Sequence, residues 1–339
     1  MSDVLALPDD ALAHYLEQHV DGFRGPLTST KFKGGQSNPT YRLDAASGRY
    51  VLRRKPPGAL LASAHAVDRE FRVITALHGG AVPVARALHL CVDESIIGSM
   101  FYVMEFIDGP IYWDPSLPDV AVDQRTAHFD AMVDALIALA KVDVDTVGLN
   151  DFGRTGNYFA RQVARWTDQF RAAETERIDA MEHLIAWLPQ HLPDDAARAT
   201  LVHGDFRIDN LIWHRDTPRI AAIVDWELST LGSPFADIAY LCMALRLPRN
   251  GVLPGLAELD RDALGIPSER ALVDRFAAGS GHDPRPHWNF LLAFQFFRLA
   301  AIAQGVLKRA LQGNASSERA QQAGAMAATI AQLGAEQTR

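Results

Sequence analysis

The feature that most constrains the fold of this 339-residue chain is a change of pattern, from short strands to long helices. Before about residue 107, β-prone segments separated by turn residues surround one helix that ends at Gly79-Gly80. From Asp123 onward, apolar residues recur at helical spacing. We therefore predict a two-lobed α+β fold, with a small antiparallel sheet and one main helix in residues 1–106 and a larger, mainly α-helical lobe in residues 107–339. The predicted strands of the first lobe are Leu27–Phe32, Thr40–Asp44, Arg49–Arg54, Arg86–Val92 and Met100–Phe106.

A group of strands interrupts the helical part of the sequence. Three apolar, β-prone segments lie there: Ala199–His203, Leu211–His214 and Ile220–Val224. The turn at 215–218 reverses the chain, so Asn210 at the start of one strand should lie beside Asp225 at the end of the next. The loop before Asn210 contains a further carboxylate, Asp205.

These polar side chains suit phosphoryl transfer to a hydroxyl. That reaction needs a carboxylate near the hydroxyl proton, oxygen ligands for Mg²⁺ and positive groups near the phosphates. Asp205, then Asn210 five residues later, then Asp225 have the order of the base and metal ligands of kinases. Asp205 and Asn210 taken alone are also typical of a turn. The presence of Asp225 and Asp237 farther along favours the catalytic interpretation.

Four motifs carry a resemblance to a known family: His203-Gly204-Asp205 with Asn210, Val224-Asp225-Trp226-Glu227, Gly232-x-Pro234 and Asp237-Ile238-Ala239. Together they resemble the aminoglycoside phosphotransferase and choline kinase superfamily. Three further segments resemble a narrower branch, the kinase-like domains joined to acyl-CoA dehydrogenases: Gly35–Thr40, Arg53–Gly58 and Phe206–Asn210. The similarity covers most of the chain.

The resemblance implies a bilobed protein-kinase-like fold with a nucleotide-binding first lobe and a catalytic and substrate-binding second lobe. It also implies that Asp205 is the catalytic base, that Asn210 and Asp225 act in catalysis as magnesium ligands, and that Asp237 supports the catalytic loop. ATP and Mg²⁺ are the implied cofactors, and an acyl-CoA dehydrogenase is a candidate functional partner. We interpret His203 as a residue that orients the loop by hydrogen bonding.

The segment between the first two predicted strands is a candidate phosphate-binding loop. Glycines let backbone N–H groups approach phosphate oxygens, although Gly-Gly between strands is also typical of a plain hairpin turn. The candidate nucleotide-binding residues of this loop are Gly34, Gly35, Gln36, Ser37 and Asn38.

A basic strand followed by a helix with Glu70 has the order of the phosphate-binding lysine and its glutamate partner in kinases. Many family members carry Lys where this chain has Arg53. We expect Arg53 to contact both phosphate and Glu70, with Lys55 on the same side of the strand as the reserve. The alternative is an exposed basic strand face. At the end of the last predicted strand of this lobe, backbone groups near Glu105 and Ile107 are expected to meet adenine.

The sequence contains weaker evidence for the acceptor pocket than for the catalytic residues. Gln295 and Arg298 are polar groups within an otherwise apolar helix, and they are expected to line that pocket, where Arg298 would hold an anionic substrate. A salt bridge of Arg298 within the lobe is the alternative. Asp209 and Glu227 are either structural, solvated residues or contacts to substrate or a second cation.

Composition excludes several classes of function. The net charge of −8 disfavours a nucleic-acid binder. No uninterrupted apolar run approaches the ~20 residues that cross a bilayer, and the first residues lack the pattern of a signal peptide. We therefore expect a cytoplasmic protein without a membrane or nucleic-acid partner. The two cysteines, Cys91 and Cys242, lie far apart in the sequence and indicate neither a disulfide framework nor a zinc site.

The sequence therefore predicts an ATP- and magnesium-dependent phosphotransferase that acts on a hydroxyl of a small metabolite. The narrower resemblance favours a hydroxyacyl-CoA as acceptor. An aminoglycoside kinase and a nucleotide-binding pseudokinase with a regulatory or scaffold role are the alternatives. Other enzyme classes lack support, because the Gly-x-x-x-x-Gly-Lys-Ser/Thr loop, the His-Glu-x-x-His motif and the Gly-x-Ser-x-Gly elbow are all missing from the sequence.

Overall fold

The computed structural model of this chain describes residues 6–32, 38–56, 66–194, 199–249, 253–311 and 326–339. The chain divides into two compact units. Unit 1 consists of Met1–Pro110, Val147–Leu149 and Asn210–Ser229. Unit 2 consists of Ile111–Thr146, Asn150–Asp209 and Thr230–Arg339.

Unit 1 contains a five-stranded sheet whose neighbouring strands are all antiparallel, in the order β1-β2-β3-β5-β4. Its strands are β1 (Leu27–Lys31), β2 (Thr40–Ala45), β3 (Gly48–Arg54), β4 (Ala87–Cys91) and β5 (Phe101–Glu105). Arg53 lies opposite Thr40 on one side and Tyr102 on the other, so it occupies a central strand of the sheet. The sheet confirms the antiparallel arrangement that the sequence predicted for the first lobe.

Two helices complete the first segment of unit 1, namely α1 (Asp9–His19) and α2 (Val67–Leu77). The buried face of α2 follows helical spacing and includes Val67, Glu70, Ile74 and Leu77. Glu70 is therefore a carboxylate within an apolar stripe, and its side chain is 1% exposed. A buried carboxylate needs a partner.

Residues 210–229 form a hairpin of β7 (Leu211–Trp213) and β8 (Ile220–Ile223) within unit 1. The sequence placed these residues with the helical lobe, and the structure groups them with the first lobe instead. The reason is backbone hydrogen bonding, because the Trp213 N–H donates to the Pro110 carbonyl at 2.9 Å and the Ile223 N–H donates to the Pro83 carbonyl at 2.9 Å. Gly109 allows this approach, since a Cβ there would overlap the Trp213 carbonyl oxygen.

Unit 2 is mainly helical and also contains a short antiparallel pair, β6 (Thr200–Val202) with β9 (Thr230–Gly232). Its helices are α3 (Val122–Ala140), α4 (Tyr158–Ala173), α5 (Asp179–Trp187), α6 (Phe235–Met243), α7 (Glu269–Ser280), α8 (Trp288–Leu311) and α9 (Ala327–Glu336). Apolar side chains of α8 pack against α4, α6 and α9 and form the core of this unit. The sheet of unit 1 and the helices of unit 2 confirm the α+β class.

Residues Arg285–Leu311 are long and apolar enough, by length and composition alone, to cross a membrane. However, 78% of the most apolar part of this helix is buried inside the protein. A core helix of a large helical unit has the same composition, because it must be apolar on every side.

Candidate active site

The loop that follows β6 is held by α6 and α8 in unit 2. Asp237 of α6 accepts hydrogen bonds from the His203 N–H at 2.7 Å and the Gly204 N–H at 2.9 Å. Arg298 of α8 donates to the Gly204 carbonyl oxygen. Gly204 has a φ of +86°, a conformation that glycine adopts without strain. These contacts give Asp237 the supporting position that the resemblance implied.

Asp205, the predicted base, lies in a cluster of polar side chains within unit 2. The Tyr240 hydroxyl donates to Asp205 Oδ1 at 2.6 Å, and Arg207 Nε lies 3.9 Å from Asp205 Oδ2. Burial works to raise the pKa of Asp205, but the charge of Arg207 and the Tyr240 hydrogen bond outweigh it and hold that pKa below its usual range. Asp205 is therefore ionised at neutral pH, as a general base must be. We call Asp205, Arg207, Tyr240 and Arg298 the base cluster.

His203 is fully buried and acts on the same loop. Its Nδ1 accepts a hydrogen bond from the Asp205 N–H at 3.2 Å. This contact fits the orienting role that we predicted for His203.

A cavity of about 60 Å³ lies next to the base cluster in unit 2. Tyr240 and Arg207 form part of its wall, and apolar residues form most of the remainder. Among the described residues that line it, Asp209 is the single carboxylate, and it is paired with Arg207 at 2.5 Å. The apolar lining residues are Trp113, Pro115, Phe129, Met132, Phe206, Ile208, Leu241, Met243, Ala244, Leu247, Leu253, Pro254 and Leu256.

Gln295 and Arg298, which the sequence placed in the acceptor pocket, have other positions in the structure. The Gln295 amide donates to the Ala236 carbonyl at 2.8 Å, and the residue is 1% exposed. Arg298 is 8% exposed and holds the loop through Gly204. Both residues are absent from the described lining of the cavity, so we correct their predicted role from substrate contact to support of the fold.

A second cluster, built around Arg53 of β3, lies within unit 1. Arg53 Nε is 2.9 Å from Glu70 Oε2, and its Nη2 is 2.5 Å from Asp225 Oδ1 and 3.7 Å from Glu227 Oε2. The predicted Arg53–Glu70 pair is therefore present, with two more carboxylates beside it. One cation among three carboxylates leaves a net negative charge. We call Arg53, Glu70, Asp225 and Glu227 the Arg53 cluster.

Glu70 is the most buried member of the Arg53 cluster. Burial raises the pKa of Glu70 to about 7 although the charge of Arg53 opposes this shift, and the charges of Asp225 and Glu227 add to the effect of burial. The Asn38 amide donates to Glu70 Oε1 at 2.7 Å, and the Tyr102 hydroxyl donates to Glu70 Oε2 at 3.3 Å. Asn38 is 1% exposed, and its contact with nucleotide stays a prediction.

The expected magnesium ligands, Asn210 and Asp225, both belong to unit 1. The Val224 N–H donates to the Asn210 carbonyl at 2.9 Å, so the hairpin brings the two ligand positions side by side, as predicted. Asp225 has a φ of +65°, an uncommon conformation for a residue with a side chain and one found at functional sites. A carboxylate and an amide are oxygen donors that fit Mg²⁺.

Two features of the described residues concern the expected magnesium site. Among the described residues there is no cluster of three or more His, Cys, Asp or Glu side chains that would hold a metal ion. Asp205 belongs to unit 2, whereas Asn210 and Asp225 belong to unit 1. The roles of these three residues therefore stay predictions.

The other predicted nucleotide contacts lie in the candidate phosphate-binding loop and around the end of β5. Gly34, Gly35, Gln36 and Ser37 lie outside the described residues. The Glu105 N–H donates to the Arg86 carbonyl at 3.0 Å, so this N–H serves the sheet. Ile107 follows β5 in a segment without helix or strand. The backbone N–H of Lys55, the reserve phosphate ligand, donates to the Met100 carbonyl at 3.0 Å. Adenine recognition at Glu105 and Ile107 stays a prediction.

Sequence reasoning missed Tyr240. Tyr240 lies three residues after Asp237 on α6, so helical geometry places both on one face. That spacing was the available signal. For Glu227 the sequence predicts either a structural, solvated role or a contact to substrate or a second cation, and its ion pair with Arg53 at 3.7 Å fits the structural role.

Solved structures identify the class to which this fold belongs. A variant of the aminoglycoside phosphotransferase APH(4)-Ia, in a ternary complex with AMP-PNP and hygromycin B, matches with a TM-score of 0.62. The match covers 96% of this chain and 98% of that one at 14% identity, which shows a shared fold. The fold is thus the kinase-like fold of the aminoglycoside phosphotransferases. The chain belongs to the phosphotransferase enzyme family, whose family model matches residues 28–264.

Two relatives are more similar in sequence. A protein from Ralstonia eutropha, provisionally named an aminoglycoside phosphotransferase, is 45% identical, has a TM-score of 0.89 and is matched over 98% of both chains. Mouse acyl-CoA dehydrogenase family member 10 is 49% identical over 331 residues, which is 97% of this chain. The chain spans only 31% of that mouse protein. The resemblance to kinase-like domains joined to acyl-CoA dehydrogenases is confirmed.

Proposed function

We propose that the chain is a small-molecule kinase that uses ATP and magnesium to phosphorylate an alcohol. The observation that carries the proposal is Asp205, an ionised carboxylate that accepts a hydrogen bond from Tyr240, a residue in the wall of a cavity. Two facts support the use of ATP. The chain belongs to a phosphotransferase family, and the fold relative APH(4)-Ia was crystallised with AMP-PNP.

In the proposed reaction, Asp205 accepts the proton of the acceptor hydroxyl while the hydroxyl oxygen bonds to the γ-phosphorus of ATP. The bond from that phosphorus to the β–γ bridging oxygen breaks, and ADP leaves. Asn210 and Asp225 are the residues proposed to hold magnesium, which supplies positive charge beside the phosphates. Arg53 is proposed to contact the phosphates while it remains paired with Glu70.

The cavity next to the base cluster favours an acceptor with an apolar segment. A polycationic aminoglycoside needs several acidic groups around it, whereas the cavity wall is mostly apolar and its carboxylate Asp209 is paired with Arg207. We therefore propose a hydroxylated acyl thioester, such as a hydroxyacyl-CoA, as the acceptor. An acyl-CoA dehydrogenase is the proposed functional partner, because the mouse relative carries that name and is about three times as long as the matched region.

An ATP-consumption screen tests the proposal. The wild-type chain is incubated with Mg·ATP and with hydroxyacyl-CoAs of short, medium and long chain, aminoglycosides, choline or simple sugars, and ADP release is measured. The matched control for each hydroxyacyl-CoA is the same acyl-CoA without the hydroxyl. We expect ADP release that depends on the hydroxyacyl-CoA and on Mg²⁺, and a phosphorylated product by mass spectrometry.

The other outcomes refute parts of the proposal. ADP release stimulated by aminoglycosides, and not by hydroxyacyl-CoAs, would show that the acceptor is an aminoglycoside antibiotic. Tight binding of Mg·ATP without stimulation by any acceptor class would identify a nucleotide-binding pseudokinase.

A further inference from the structure

We infer that Tyr240 is a positioning residue for the base, holding the Asp205 carboxylate in the orientation that phosphoryl transfer requires. This inference rests on the proposed function. The resemblance that identified Asp205 ends at Asp237-Ile238-Ala239, one residue before Tyr240. Tyr240 acts through Asp205 and is not proposed to touch the phosphates.

The first support is the way α6 contacts the catalytic loop at two points. Asp237 accepts from the backbone N–H groups of His203 and Gly204, and Tyr240 donates its hydroxyl to the Asp205 side chain at 2.6 Å. Asp237 and Tyr240 are three residues apart on one helix face. One helix therefore fixes both the backbone of the loop and the carboxylate that the loop carries.

The second support is the packing that holds the Tyr240 ring. The Arg298 guanidinium lies 5.2 Å from the centre of the Tyr240 ring and 5.5 Å from that of Trp166. The same guanidinium donates to the Gly204 carbonyl. Arg298 thus ties the ring of Tyr240 to the loop next to Asp205, and contacts of this kind stabilise a buried aromatic ring. Tyr240 itself is 6% exposed, so its hydroxyl has little freedom to turn elsewhere.

The third support is the chemistry of the hydrogen bond. Burial and the charge of Asp205 raise the pKa of Tyr240 above its usual value, so the hydroxyl keeps its proton and stays a donor. A distance of 2.6 Å is in the range of hydrogen bonds from a hydroxyl to a carboxylate. Such a bond to a charged group orients the carboxylate more strongly than a bond between neutral groups does.

The kinetic test compares Tyr240→Phe with Tyr15→Phe, using Mg·ATP and the hydroxyacyl-CoA series. Tyr15, on α1 of unit 1, is the matched control because its hydroxyl also makes a side-chain hydrogen bond, with His89 Nε2 at 2.9 Å. Loss of a hydrogen bond to a charged group predicts a roughly 10- to 100-fold fall in kcat for Tyr240→Phe. The KM for ATP should stay unchanged, because the change affects the base and not the nucleotide. An unchanged kcat in Tyr240→Phe would overturn the inference.

A spectroscopic test needs no acceptor and so separates this inference from the proposed function. Protein labelled with ¹³C at the aspartate carboxyl carbon is compared in the wild type, Tyr240→Phe and Tyr15→Phe, and the Asp205 resonance is assigned by its loss in Asp205→Asn. The inference predicts that this resonance moves in Tyr240→Phe and stays in place in Tyr15→Phe. An Asp205 resonance that is unmoved in Tyr240→Phe would overturn the inference. If the wild type transfers phosphate to none of the acceptors, the proposed function is overturned. The NMR result then tests by itself whether Tyr240 positions the Asp205 carboxylate.

Discussion

Replacing Arg53 with Met should lower the free energy of unfolding of unit 1. The change leaves the three carboxylates of the Arg53 cluster without the cation that lies among them. The side chain of Arg53 is 10% exposed and that of Glu70 is 1% exposed, so water does not screen this pair as it does a surface pair. Removing one partner of a buried ion pair costs about 3–5 kcal/mol. That is a large part of the roughly 5–15 kcal/mol by which proteins are stable. Methionine keeps the apolar stem, so most of the loss comes from charge.

The size of this loss depends on pH in a direction that follows from Glu70. The pKa of Glu70 is raised to about 7 in the folded protein from an ordinary value of 4.5. A carboxyl whose folded pKa is raised binds more protons when folded, so its contribution to stability falls as pH rises from about 4.5 through 7. Without Arg53 the folded pKa of Glu70 rises further. The free energy of unfolding that Arg53→Met loses relative to the wild type should therefore grow between pH 6 and pH 9.

Urea unfolding followed by circular dichroism measures the free energy of unfolding, and hydrogen exchange of peptides from α2 locates the change. Arg42→Met is the matched control, because Arg42 pairs with Asp44 at 2.8 Å and their side chains are 42% and 38% exposed. That exposed pair should contribute about 1 kcal/mol or less. The double variant Arg53→Met/Glu70→Met should recover part of the loss. A loss below about 1 kcal/mol in Arg53→Met, equal to that of the control, would refute the reasoning.

Asp225→Ala should abolish magnesium-dependent binding of AMP-PNP in isothermal titration, and unchanged affinity at saturating Mg²⁺ would count against Asp225 as a ligand. Ala244→Leu fills the cavity next to the base cluster and should raise the KM for the hydroxyacyl-CoA while the KM for ATP stays constant. A KM for the hydroxyacyl-CoA equal to that of the wild type would exclude the cavity as the acceptor site. Gly109→Ala should destabilise unit 1 by more than about 1 kcal/mol in urea, because its Cβ overlaps the Trp213 carbonyl, whereas Gly305→Ala on α8 should be neutral or stabilising.

Local signals in the sequence predicted the parts of the structure that neighbouring residues determine. Turn residues bounded the first five strands, and helical spacing identified the helix with Glu70. The predicted pairing of Arg53 with Glu70 depended on the order of a strand and a helix, which the sequence shows directly. The motif around Asp237 likewise led to a residue that holds the loop.

Contacts distant in sequence account for what was not predicted. The hairpin at 210–229 joins unit 1 through bonds to Pro83 and Pro110, more than one hundred residues earlier, and the local pattern contains no trace of these partners. β9, which pairs with β6, has only three residues, and a segment of that length is too short to show a periodic pattern in the sequence. A polar group in an apolar helix needs a partner, and this rule predicts a position in the pocket for Arg298. Its partner is the Gly204 carbonyl, and helical spacing cannot distinguish a backbone partner from a ligand.

The most direct test of the central claim, that Asp205 takes the proton while a phosphoryl group moves to an alcohol, is a single-turnover experiment with ATP labelled in its γ-phosphate. Excess enzyme is mixed with Mg²⁺, labelled ATP and a hydroxyacyl-CoA, and the label is followed over time in the wild type and in Asp205→Asn. We predict that the label moves to the acyl-CoA hydroxyl in the wild type and stays in ATP in the variant. Transfer by Asp205→Asn at the wild-type rate, or label released by the wild type as inorganic phosphate alone, would contradict this account.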